Sequence, residues 1–413
     1  MFAEAIAVFR RNPDFRRLFI AALISMLGDW FSFVAVASLL TEITHRASTA
    51  AFAYAAMVLP IFLATPIAGN LADRFDRRRI MLLADVLRVP LALSLIGAAY
   101  WHSVPLAIAA TIALGVGAAF SDPVASAALP NLVADEDLTT AQAMFAGSWG
   151  AMLIVGAGLG GLTAAYLGRT AAFAIDAASF AISAAVLWRI RRPMQTFATT
   201  TAARAATSTA PPPPLWPHLR QSPITLRLLL AKVGVSSANG TVGLLPGLIV
   251  ARLAGGDRAL GLVLAARGLG AMCGPPLARR LAGRTPSVRG ILWVCGISTM
   301  TYAAAYALVP SVPWLIGIVA LVAVAHLGGG AQWTLSSYGL QSRTPDELRG
   351  RVMSLDYGLA TLAIGSSAVV AGVIADATSV ATAMHALSAV AALYGIAWAV
   401  AVWPWARASS SDT

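Results

Sequence analysis

The chain has 413 residues, of which 58% are apolar and 11% charged, with a mean hydropathy of +0.75. A soluble domain carries roughly 25% charged residues, so the composition excludes a soluble globular protein and predicts a polytopic membrane protein. The net charge of +11 would suggest a nucleic-acid partner in a soluble chain, but here the arginines are spread over short loops between apolar runs, where they set topology, and no nucleic-acid partner is expected.

Glu4, Arg10, Arg11, Asp14, Arg16 and Arg17 precede the first apolar run, which outruns a cleavable signal's hydrophobic region and predicts an uncleaved anchor. A bilayer core needs roughly 20 helical residues. Cutting the apolar runs at charges, prolines and polar clusters predicts twelve spans. Six lie near 17–40, 50–72, 80–101, 104–126, 141–167 and 170–190, and six near 227–252, 259–281, 289–309, 312–338, 350–376 and 379–403. Backbone groups without water must bond internally, so runs this long read as helices.

Residues 191–226 include "TTTAARAATSTAPPPPLWPHLR" and lack a span-length apolar run, which predicts a flexible cytoplasmic linker. It separates an N-terminal half, 1–190, from a C-terminal half, 227–413, that ends in a short cytoplasmic tail. "LTTAQAM" and "LRGRVMS" recur 209 residues apart and "LADR" and "LARR" 206 apart, which favours parallel six-span repeats. Threading the loops alternately puts 22 of the 29 basic residues on one side and only Arg46, Arg169, Arg252 and Arg258 on the other. The arginine-rich side is expected to be cytoplasmic, with both termini, in a bacterial inner membrane. Cys273 and Cys295 fall inside apolar runs and read as packing residues.

The loop after the second span concentrates charge: Gly69, Asp73, Arg74, Arg77 and Arg78. Glycine permits close helix packing, the aspartate can accept hydrogen bonds at a helix N-terminus, and the arginines can pair with carboxylates nearby. With Leu71 and Ala72 these residues resemble GxLADRxGRR, the signature of the major facilitator superfamily of secondary transporters, with Asp76 where glycine is usual. "NPDFRRLFIAALISMLGDWF" and "DPVASAALPNLV" are similar to one branch, exporters related to enterobactin and macrolide efflux proteins. The resemblance implies an all-α membrane fold of twelve transmembrane helices in two pseudo-symmetric six-helix halves. It also implies that the loop is a conformational latch, in which Asp73 docks on the start of span eleven at Gly350–Arg351 and Asp122 joins from the inner end of span four. Arg279 stands where the second half would carry the aspartate, so that copy is expected to be degenerate.

A charge in hydrocarbon costs at least about 2.5–3.5 kcal/mol, which makes each one a functional candidate. Asp29 lies about 11 residues past Leu18, roughly 16 Å deep at about 1.5 Å per residue, and is the leading proton-coupling carboxylate; permanent pairing with a basic residue is the alternative. Asp356 is the second candidate. Asp85 and Arg88, three apart, share a helix face and can neutralise each other. Lys232 and Arg267 could hold an anionic group of a substrate or pair with Asp29 or Asp356. Asp176 and Asp376 lie near outer span ends and read as solvated. The glycines of "GSWGAMLIVGAGLGGL", 147–162, allow close backbone approach; the stretch resembles the span-five signature of antiporters, with Ala157 in place of proline. Phe33, Trp149, Trp333 and Tyr357 either line a cavity for a ring-bearing molecule or pack against helices and lipid.

No P-loop, HExxH or GxSxG element is present, so neither an ATP-driven pump nor an enzyme is expected. His326, in mid-span, reads as a packed histidine, and no metal or cofactor is expected. The expected function is proton-driven export of a small amphipathic molecule, such as an antibiotic or siderophore. A transport-inactive receptor or assembly scaffold that keeps the fold is the alternative. Expected partners are the small-molecule cargo, protons and the lipid bilayer, and the chain is expected to be monomeric.

Overall fold

The structure, a computed structural model, describes residues 2–195, 215–252, 256–282 and 287–407. Every regular element among them is helical, and twelve helices are long and apolar enough to cross a membrane. The first six spans are Pro13–Thr44, Ala47–Arg74, Arg77–Tyr100, Val104–Leu132, Asp135–Tyr166 and Arg169–Trp188. In the second half, span seven is divided into Pro223–Ala238 and Thr241–Arg252, and Gly256–Ala282, Val288–Leu308, Leu315–Arg343, Asp346–Ala377 and Val380–Arg407 follow.

Local chemistry sets the helix ends. The Asp76 side chain accepts the Arg79 N–H at 3.0 Å, an N-cap that starts span three and explains why an aspartate serves where the signature has glycine. Ser103 and Ser287 cap spans four and nine in the same way. Gly168, at φ +84°, turns the chain between spans five and six in a conformation that glycine adopts without strain. The continuous span expected over 227–252 is broken at Asn239–Gly240. There the Gly240 N–H donates to Ser367 Oγ at 2.9 Å, and a Cβ on Gly240 would lie 2.3 Å from the Ser367 carbonyl carbon. Span eleven thus satisfies the interrupted backbone and leaves no room for a side chain.

Within the first half, span one packs on spans five and six, span three on four and six, and span two on four. In the second half, span nine packs on ten and twelve and span eight on ten. Three further pairs join the halves: spans five and eight, spans two and eleven, and span two with the Thr241–Arg252 piece of span seven. The glycine run of span five serves the first of these, since a Cβ on Gly161 would lie 2.8 Å from the Gly261 Cα. One apolar core is shared by both halves and contains Trp30, Tyr54 and Leu153 together with Leu245, Leu260 and Ala371. Towards the arginine-rich ends the cores are separate, one around Phe15, Leu129 and Leu187 and the other around Leu228, Ile291 and Val352. Among the described residues, a common core therefore joins the halves at the arginine-poor ends, and the cores at the opposite ends are separate.

A helix at Phe2–Arg11 precedes span one. It is tied to the start of span five by Arg11 and Asn12, which donate to Asp137 at 2.6 and 2.8 Å. The described ends of the segment 191–226, expected to be a flexible linker, pack against the two halves. Met194 is buried in the first half's core and Leu219, on the helix Leu215–Gln221, in the second half's. Residues 196–214 lie outside the described residues.

Candidate functional site: the buried charges

Arg88 on span three is 1% exposed and pairs with carboxylates of spans one and three. Its Nη2 donates to Asp29 Oδ1 on span one, and its Nη1 donates to Ser25 Oγ at 3.1 Å. Asp85 Oδ1 is 3.7 Å away, and the guanidinium carbon stands 3.9 Å from the centre of the Phe180 ring. Asp85 and Arg88 do share a face, but the hydrogen-bonded partner of Arg88 is on another helix, and Asp85 turns its second oxygen to Ser183 Oγ at 2.5 Å. Asp176 on span six accepts from Ser32 Oγ, while its Oδ1 has no hydrogen-bond partner. The solvated position expected for Asp176 is corrected here: it is fully buried, because it faces span one two turns inside its helix. That approach depends on Gly28, where a Cβ would lie 2.5 Å from Asp176 Oδ1. Two carboxylates, Asp29 and Asp85, are thus within ion-pair distance of one guanidinium, and Asp176 lies beside them against Gly28 and Ser32 of span one.

In the second half Lys232 donates to Asp356 and to Ser337 Oγ at 2.8 Å, with its Nζ 4.6 Å from the Trp333 ring centre. Both charges are almost fully buried. Trp333 meets Tyr357 edge to face at 6.3 Å, so these two aromatics belong to the Lys232–Asp356 pair. Phe33 and Trp149 are associated with Asp29. With Asp29, Trp30 and Ser32 they line a cavity of about 120 Å³ in the first half.

Between the halves stands Arg267 of span eight, 4% exposed. It pairs with neither Asp29 nor Asp356. Its Nη2 donates to Tyr54 Oη of span two at 3.0 Å, and that hydroxyl donates to Asn239 Oδ1, at the break of span seven, at 2.7 Å. The rings of Trp30, Tyr54 and Trp149 have their centres 5.9, 5.6 and 5.6 Å from its guanidinium carbon. Its Nε and Nη1 are buried without hydrogen-bond partners. His326 bonds Tyr306 Oη at 3.0 Å and packs as a core residue.

Two arginines of the charged loop reach backbone carbonyls. Arg77 donates to the Ala127 carbonyl at 2.7 Å, and Arg78 to the carbonyls of Leu187, at 3.2 Å, and Trp188. These arginines hold the ends of spans four and six within the first half. Arg351 is exposed. At Gly69, Asp73, Arg74 and Asp122 only the helical backbone belongs to the described residues, so the contacts expected of them lie outside it. The inter-half ion pairs that the structure describes are at the opposite, arginine-poor end: Arg169 with Asp257 at 3.2 Å, and Arg46 with Asp376 at 3.9 Å.

Sequence reasoning missed Asp176, Tyr54, Asn239 and both of these pairs. Gly240 beside Asn239, deep in an apolar run, was the available signal for the break. Nothing in the spacing marked Tyr54.

A family model described as transmembrane secretion effector matches residues 3–412. An uncharacterised MFS-type transporter of Mycobacterium tuberculosis is 29% identical over 373 residues, 85% of this chain and 82% of the relative. Multidrug efflux pump Tap of Mycolicibacterium fortuitum is 27% identical over 405 residues, 94% of this chain and 95% of the pump. Among solved structures, a bacterial homologue of the human lysosomal transporter Spinster, in an inward-facing and unoccupied conformation, superposes with a TM-score of 0.73 at 14% identity, covering 96% of this chain and 99% of that one.

Proposed function

The chain is a multi-pass membrane transporter of the transmembrane secretion effector family within the major facilitator superfamily, and on that premise we propose that it exports a small amphipathic molecule by proton antiport. The arginine-rich ends and both termini face the cytoplasm of a bacterial cell. The halves, parted on that side and joined on the other, are then in the state that loads cargo from within. Efflux by the Mycolicibacterium relative supports the direction.

The observation that carries proton coupling is the charge imbalance around Arg88. Asp29 and Asp85 share one guanidinium, Asp176 is buried beside them against Gly28 and Ser32, and no second cation pairs with any of the three among the described residues. A surplus of two negative charges in so dry a site is costly, and the cluster lowers it by taking up a proton. Asp176 is the residue best suited to hold it: one oxygen of Asp176 and one of Asp85 lack a hydrogen-bond partner, but Asp85 stands 3.7 Å from Arg88, whereas no cation is within ion-pair distance of Asp176 among the described residues. Asp29, the residue first indicated by depth, is engaged by Arg88 while its carboxylate borders the cavity. Release of the proton from Asp176 gives Arg88 a competing partner, and that links protonation to the cavity wall.

Reconstituted into liposomes with an acidic lumen, the protein is expected to accumulate ethidium or 2-naphthalenesulfonate against its gradient, and an uncoupler is expected to abolish the uptake. Absence of accumulation for both probes, or uptake indifferent to the uncoupler, overturns proton antiport.

A further inference from the structure

Two groups in the membrane-spanning core lack a compensating partner, and their chemistry differs. The carboxylate cluster of the first half can neutralise itself by binding protons. Arg267 cannot, because a guanidinium stays charged in proteins. Lys232 has Asp356 and Arg88 has Asp29, whereas among the described residues no carboxylate lies within ion-pair distance of Arg267. Its single described hydrogen bond goes to the neutral hydroxyl of Tyr54, and both Nε and Nη1 remain buried and unpartnered. Aromatic faces offset part of the cost of burying a cation, but they leave directed N–H donors unfilled. Such donors are completed by an oxyanion, whose oxygens accept charge-assisted hydrogen bonds from the guanidinium.

The position of Arg267 is that of a recognition residue. It lies on span eight, which joins span five across the halves, and its hydrogen bond reaches span two of the other half. Trp30 and Trp149 border both the guanidinium and the 120 Å³ cavity, so a single layer of rings separates the two. Trp149 is 42% exposed and meets Trp30 edge to face at 6.0 Å. Resting on the transporter reading, we infer that Arg267 binds an anionic group of the cargo, a carboxylate, sulfonate or phosphate. The rings of Trp30, Tyr54 and Trp149 hold the aromatic body attached to it. Asp29, engaged by Arg88, exerts no matching preference for a cation.

The test uses the full chain in nanodiscs of phosphatidylcholine, without any gradient, and reads binding by tryptophan quenching. The probes place three charges on one ring system: 2-naphthalenesulfonate, its neutral sulfonamide, and 2-naphthylmethyl-trimethylammonium. The sulfonate is expected to bind at least about tenfold tighter than the sulfonamide, the size of a charge-assisted hydrogen-bond pair, and the ammonium form weakest. Arg267→Gln removes the preference for the sulfonate, and Arg267→Lys retains it at lower affinity. Equal binding of sulfonate and sulfonamide by the native protein, a preference that survives Arg267→Gln, or one lost in Arg267→Lys overturns the inference. Displacement of the sulfonate by phosphatidylglycerol assigns the site to lipid and overturns it as well. Because no gradient is present, a failure of proton antiport leaves this measurement intact, and loss of the anion preference leaves uphill transport to be judged separately.

Discussion

The two halves share a six-span plan but balance their buried charges in opposite ways. The first half sets Asp29 and Asp85 on Arg88, buries Asp176 beside them, and carries a negative surplus. The second closes Lys232 on Asp356 and leaves Arg267 over, a positive surplus. On the function proposed above, a pseudo-symmetric scaffold is divided into a half that exchanges protons and a half that attracts an anion. The division matters for coupling, because a proton and an anionic cargo relieve different halves and communicate only through the interface between them, where Tyr54 links Arg267 to Asn239.

The largest effect is expected from opening the balanced pair. Asp356→Asn strands Lys232 in the core, and removing one member of a buried pair costs about 3–5 kcal/mol. Melting of the detergent-solubilised protein should fall steeply, and Lys232→Met combined with Asp356→Met should recover most of the loss. If the single variant melts as the native protein does, the second half is not balanced by this pair and the contrast between the halves collapses.

Next comes the unbalanced cluster, where two chemically identical substitutions should diverge. Asp176→Asn mimics a protonated carboxyl, so melting should stay within about 1 kcal/mol of native while uphill accumulation is lost and downhill exchange survives. Asp29→Asn removes the partner of Arg88 and should destabilise by about 1.5–3 kcal/mol, the range for hydrogen bonds to charged groups. The reverse ranking in melting would move the proton to Asp29.

Much of this architecture was legible in the sequence because hydrocarbon thickness and backbone hydrogen bonding leave few options for long apolar runs. Span one runs past its expected limits of 17–40, to Pro13–Thr44, since helices continue into the interface beyond the apolar core. The break in span seven was hidden because Asn239 and Gly240 sit inside a run whose average is apolar. Side-chain partners were less legible. Counting residues from a span end gives depth but not the face, so Asp176 read as solvated although it points at Gly28. Spacing within one helix joined Asp85 to Arg88 but could not reveal Asp29 as the hydrogen-bonded partner of Arg88, which depends on how spans one and three cross.

The smallest expected effect concerns the two ends of the molecule. Sequence resemblance directs attention to the arginine-rich loop as the latch, yet the described inter-half ion pairs are Arg169–Asp257 and Arg46–Asp376 at the arginine-poor end. These pairs persist only while that end stays closed, so they favour the state described here over its alternate. Arg46 is 70% exposed in its side chain, and pairs so wet contribute about 0.2–1 kcal/mol. Arg46→Gln should therefore shift the ratio of the two states no more than about fivefold. Arg169, 21% exposed and bonded to Glu42 as well as Asp257, should shift it more when changed to Gln. Spin labels placed across spans five and eight at the arginine-poor end would report the shift as growth of a longer-distance population. High salt should reproduce the Arg46→Gln effect in the native protein and leave Arg169→Gln the larger of the two, because screening acts mainly on the exposed pair. If neither variant moves the distance distribution, closure at that end rests on the shared apolar core alone, and the ion pairs merely decorate it.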